Sequence, residues 1–188
     1  MGHNSVDADA LKRTWAQVGA HGDAVPGYFY AHLFLTHPEV RDLFPVTMAS
    51  QRDRLVKALG RVVSDVDNLG EVVGYIEDLG RDHRKFGAIA GHYPAVGASL
   101  LATLQHFLGD AWTAKLASDW AEAYGLIATT MITAAEGAES EPATWGAEVV
   151  ATERRGMDVG TVTIRTDEPY AYRAGQSLAL EVPQRPRQ

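Results

Sequence analysis

Three positions put a polar side chain inside a stripe of apolar residues that a folded chain would bury. His83 lies four residues after Leu79 and three before Phe86, on the apolar line, while Arg81, Asp82, Arg84 and Lys85 around it are charged. An inward imidazole can ligate a metal through a neutral ring nitrogen, or it can be a core histidine bonded to a backbone carbonyl. Gln51 stands four residues before Leu55 and shares that residue's face; it reads as an inward amide or as an N-terminal residue bonding free backbone amides. Tyr30 sits between Phe29 and Leu33, and reads as an inward hydroxyl or as a core tyrosine whose oxygen reaches the surface. Burying a polar group costs free energy unless it is paired, so each of the three needs a partner. Phe44, in Asp42-Leu43-Phe44-Pro45, reads by itself as a staple to the core.

Other chemistry is scarce. The 188 residues contain no cysteine, which excludes disulfides, thiolate metal sites and thiol nucleophiles and fits a reducing cytoplasm. None of His3, His21, His32, His37, His92 and His106 pairs with another at metal-ligand spacing, so a zinc site is not expected. There is no phosphate-cradling glycine loop and no G-x-S-x-G. A net charge of −7 argues against nucleic acid as a partner. Residues 1–9 lack the apolar core of a secretory signal. The longest apolar stretch, 125–135, is too short and too rich in threonine to span a bilayer.

The elements that must position these residues are mostly helical. Asp7 or Asp9 can cap a helix through Leu11, Trp15 and Val18, broken at Gly19–Gly22, and Asp23 can cap a second with Pro26 in its first turn. Pro38 opens a short helix ending near Phe44. Leu55, Leu59, Val62 and Val66 recur with a helical period from about Ser50 until Asn68-Leu69-Gly70. Val72, Ile76, Leu79, His83 and Phe86 share the next face. Val96 to Phe107 and Trp112 to Ala135 complete about seven helices. From residue 146 the pattern changes to alternation at 148–152, 159–164 and 177–182, the mark of short strands. The expected division is 1–137 helical, 138–145 linker and 146–188 β, and three short strands do not readily form an independent core.

Taken together, the residues resemble the globin family, and more narrowly the globin domain of bacterial flavohaemoglobins. The resemblance rests on Tyr30 in YFYAHLF, Phe44 in RDLF, Gln51 in SQRDRL, His83 in GRDHRKF, Tyr93-Pro94 in HYPAVGASLLATL and WAEAYG at 120–125. It covers nearly the whole helical part, at consistent spacings. Residues 145–184 in turn look like the opening strands of a ferredoxin-reductase-type flavin domain. The family's flavin-binding Arg-x-Tyr-Ser motif would come later, so FAD is not expected to bind to this incomplete barrel.

The resemblance implies an all-α globin fold, a 3-on-3 sandwich around haem, followed by that short β segment. It implies haem b as cofactor, with His83 as the iron ligand, Phe44 packed on the porphyrin, and Arg84 and Lys85 toward the propionates. Tyr30, Gln51 and Leu55 would form the pocket for dioxygen and nitric oxide. The implied activity is that of an oxidoreductase, nitric oxide dioxygenation to nitrate, with a separate reductase as electron donor; the alternative is an oxygen-binding, storage or sensing globin. In the family a glutamate near the end of the last helix bonds the histidine and the tyrosine that matches Tyr93. Gly137 aligns there, and Glu136 stands one residue away, about 100° around the helix. Asp82 occupies a place that is often basic.

Overall fold

The computed structural model describes residues 6–140, 142–169, 175 and 180. Asp7 caps the first helix, α1 (Ala8–Gly19), by accepting from the Ala10 amide at 2.9 Å. Gly22, with φ of +56°, turns the chain into α2 (Ala24–Thr36). Asp23 precedes that helix but makes no side-chain capping bond, contrary to expectation, because its own backbone is already helical. Phe29, Tyr30 and Leu33 are on the buried face of α2. A 3-10 helix, Pro38–Leu43, carries the chain to Phe44.

The next two helices are α3 (Ala49–Ser64) and α4 (Val73–His83). α3 stops short of Asn68: the amides of Val66 and Asn68 bond back to Val63 and Asp65 in tight turns, and Asp67 is held by Lys12 of α1 at 2.7 Å. α4 also ends earlier than its apolar period suggests. After His83 the chain tightens into a 3-10 turn, Arg84–Phe86, and Gly87 with φ of +79° ends it. Then come α5 (Tyr93–Leu108) and α6 (Ala114–Gly137), the latter capped by Thr113, whose hydroxyl accepts from the Leu116 amide at 3.2 Å.

Two apolar clusters hold the helices. The larger joins α1, α2, α3, α5 and α6 through Leu11, Leu33, Val63, Leu104 and Trp120. The smaller joins α3, α4 and α6 through Val62, Ile76 and Met131. The six α-helices and the Pro38–Leu43 segment make the seven-helix globin fold expected. Beyond them, β1 (Ala147–Arg155) pairs antiparallel with β2 (Val159–Thr166) around a turn at Gly156, with a register shift between Val149 and Ala151. The alternating segment 177–182 lies almost wholly outside the described residues.

Candidate functional site

α3 and α4 form a hairpin that closes at one end. Near the turn, Val62 packs with Val72 and Ile76, and the Arg61 guanidinium lies 4.0 Å from the centre of the Tyr75 ring. From that apex Gln51 is eleven residues back along α3, and His83 seven residues forward along α4. At 1.5 Å per residue these positions lie about 16 Å and about 10 Å out along the two arms. The two polar residues therefore stand away from the closed end, toward the open one.

His83 is half-buried, and its Nδ1 lies 2.6 Å from the Leu79 carbonyl oxygen one turn earlier. That oxygen can only accept, so Nδ1 carries the proton and Nε2 keeps its lone pair. Burial pushes the imidazole's pKa down, against the opposing pull of the Leu79 carbonyl and Asp82. A neutral ring with a defined tautomer results. The two sequence readings of His83 are thus compatible in one geometry: the carbonyl bond fixes the ring and leaves the opposite nitrogen with its lone pair.

Tyr30 is 3% exposed. Its hydroxyl reaches the Gln51 backbone oxygen at 3.5 Å, well beyond the usual O–H···O length. Burial raises its pKa to about 12, with Gln51 and Arg52 pulling slightly the other way. It is a buried donor, protonated at neutral pH, with a weak acceptor. Phe44 packs edge-on against Tyr30 at 5.5 Å between centroids, and Arg41 fixes the turn by donating to the carbonyls of Phe44 and Pro45 at 3.0 and 3.2 Å. Leu55, one turn after Gln51, lines a void of about 10 Å³ together with Leu59 and Leu100. Tyr30, Phe44 and the Gln51 backbone are thus gathered by α2, the 3-10 helix and α3, and Leu55 lies one turn further along α3.

The other candidates fall elsewhere. Tyr93, at the start of α5, is half-buried against the cluster of Val62, Val72, Ile76 and Met131, and burial raises its pKa. Arg84 is half-buried, and Lys85 reaches Asp82 at 2.8 Å. Glu136 lies exposed on the last turn of α6.

Sequence reasoning missed what sets α4 and α5 against α6. Gly80 of α4 meets the main chain of Met131, and a Cβ at Gly97 of α5 would come within 2.5 Å of the Tyr124 ring. Tyr124 in turn donates to the Tyr93 carbonyl at 2.7 Å. A glycine inside an apolar helical face was the available signal, since glycine is disfavoured there without a packing reason.

Among the described residues, no three His, Asp or Glu side chains cluster to hold a metal ion, and no helix is long and apolar enough to cross a membrane. The chain is 28% identical over 188 residues to a flavohemoprotein of Bacillus subtilis, covering 93% of this chain and 47% of that protein. It is 32% identical over 136 residues to a flavohemoprotein of Rhizobium meliloti, covering 71% of this chain and 33% of the relative. The chain thus spans about half, or less, of the length of these curated relatives. A bacterial globin from Campylobacter jejuni shares the fold, with a TM-score of 0.63 at 23% identity, covering 71% of this chain and 97% of that one. The globin family model matches residues 27–131, from the second turn of α2 through Met131 of α6, and so takes in Tyr30, Gln51, His83 and the whole helical hairpin; the chain belongs to the globin family.

Proposed function

We propose that the chain holds haem between the arms of the α3–α4 hairpin, binds dioxygen there, and converts nitric oxide to nitrate with electrons from a separate donor. The observation that carries this reading is the His83 ring, pinned by Leu79 with its second nitrogen left to ligate. The surroundings fit an apolar planar group. Phe86, Ile89 and Val46, which follow His83 and Phe44 closely in the chain, are 39%, 62% and 77% exposed, apolar surface that such a group could cover. The curated relatives are named as flavohemoproteins, in keeping with haem.

When bound, haem iron would supply the redox centre at which dioxygen and nitric oxide combine to nitrate, one electron being returned per turnover. The chain does the rest. His83 would hold the iron through Nε2, and Phe44 would pack on the ring. Tyr30, kept protonated by burial, and the Gln51 amide would donate to a partly negative oxygen ligand; leaving either donor unpaired costs about 1–3 kcal/mol. Leu55 would narrow the pocket and hold water out. Arg84 and Lys85 are the cations for the propionates, Lys85 by exchanging Asp82 for them. In this reading residues 1–137 are the globin unit, joined through 138–145 to the β segment.

One observation favours oxygen binding without efficient turnover. Glu136 is exposed at the end of α6 rather than turned in toward His83 and Tyr93. Rapid mixing of the oxygenated protein with nitric oxide separates the two: stoichiometric nitrate in a fast phase supports the dioxygenase, and slow oxidation without nitrate supports the carrier. A Soret band in the purified protein tests haem itself.

A further inference from the structure

A second space lies away from the hairpin's open end. It is a partly open cavity of about 360 Å³ between α1, α3, α5 and α6, with Leu11, Val63, Val66, Leu100 and Ile127 among its walls and the exposed Glu122, Gly125, Leu126 and Thr129 of α6 at its rim. An engineered apolar cavity of about 150 Å³ takes benzene, and small-molecule sites begin at about 300 Å³. The space is thus large for a packing defect and of a size for a ligand.

Its polar atoms are mostly spoken for. The Trp120 indole donates to the Thr14 hydroxyl at 3.2 Å, and the Tyr124 hydroxyl to the Tyr93 carbonyl at 2.7 Å. Lys12, next to Leu11, is engaged by Asp67 at 2.7 Å. Among the described residues, only Glu122 brings a formal charge to the lining, and it is exposed, at the solvent side of α6. Such walls offer water few hydrogen bonds and repel an anionic head group.

The rim also contains Gly125, solvent-exposed in the middle of α6, where a Cβ would meet nothing within 4 Å. Mid-helix glycine is disfavoured relative to alanine, and no close approach of another element requires it here. Its effect is to leave that stretch of rim without a side chain.

We propose that this cavity is a binding site for an uncharged apolar molecule, of the class of a medium-chain alcohol. The site is separate from the one formed by Tyr30, Gln51 and His83, and does not rest on the reading of that site.

Decan-1-ol and decanoate are the probes, titrated calorimetrically into the purified full chain, with thermal unfolding followed in parallel. The expected result is saturable one-to-one binding of decan-1-ol with a rise in Tm, and at least ten-fold weaker binding of decanoate. Gly125→Leu extends a side chain from the rim while improving helix propensity, so it should keep the fold, and keep haem if haem is bound, yet lose decan-1-ol at least ten-fold. Ala123→Leu blocks the same space from a second position. Glu122→Gln should narrow the gap between decanoate and decan-1-ol. Absence of saturable binding, equal affinity for the two probes, or affinity untouched in both Gly125→Leu and Ala123→Leu would overturn the proposal.

Discussion

Gly80 of α4 rests on the backbone of Met131 in α6, so closely that a Cβ at residue 80 would stand 2.7 Å from the Met131 Cα. The contact is main chain against main chain and cannot be relieved by turning a side chain. Gly80→Ala must push α4 away from α6, and α4 carries His83. We expect a loss of about 1–3 kcal/mol, the usual cost of overpacking, seen as a lower urea midpoint. Haem affinity should fall with it, measured by transfer to an apo-globin acceptor. An unchanged midpoint would show that the two helices are free to separate.

His83→Ala should abolish most haem binding, and added imidazole should restore part of the Soret band by occupying the vacated position. Full retention of a five-coordinate ferrous spectrum in the variant would remove His83 from the ligand role.

Tyr30→Phe keeps the ring against Phe44 and deletes only the hydroxyl. Losing one donor worth about 1–3 kcal/mol should speed oxygen release by roughly five-fold to over a hundred-fold. Flash photolysis or rapid dilution of the oxygenated protein reads the off-rate, and a wild-type value would mean that the hydroxyl does not reach the ligand.

Alkaline pH should destabilise the fold through the same residue. Burial raises the Tyr30 pKa from 10.0 to about 12, and Tyr124 and Tyr93 are shifted upward as well. Below pH 10 both folded and unfolded Tyr30 hold their proton and stability is unaffected. Between 10 and about 12 the unfolded chain releases a proton that the native state keeps, so stability falls as pH rises, by up to about 1.4 kcal/mol per pH unit for a single group. Urea midpoints across this range, compared with Tyr30→Phe, isolate the contribution.

Gly97→Ala should displace the Tyr124 ring, which now passes 2.5 Å from where the new Cβ would lie. The Tyr124–Tyr93 hydrogen bond would lengthen or break, at about 0.5–1.5 kcal/mol, in addition to the repacking cost. Tyr124→Phe removes the bond alone, and the difference in thermal stability between the two variants separates the two contributions.

Much of this could be read from residue types. The helical period through Leu55, Leu59 and Val62 marks α3, and the intrusion of Tyr30, Gln51 and His83 on apolar faces marks two residues that the structure brings into contact, Tyr30 and Gln51, and a third that it half-buries on α4. What could not be read was supplied by the main chain or by relations between distant helices. The partner of His83 is a carbonyl, which every residue has, so no residue type announces it. The 3-10 turn that follows α4 is ended by a left-handed Gly87, one of 18 glycines with nothing local to set it apart. Glu136 and Gly137 differ by a fraction of a helical turn, and only the built helix shows that the carboxylate faces water. The cavity beside α6 was invisible because an unfilled volume is a property of four helices at once.

Leu59 and Leu100 line both that cavity and the small void beside Leu55. Two leucines are thus a party wall between neighbouring rooms. Enlarging either would shrink both rooms together; trimming either to alanine would knock them into one. A substitution selected for its effect on gas binding would then carry an unasked-for change on the other side of the partition.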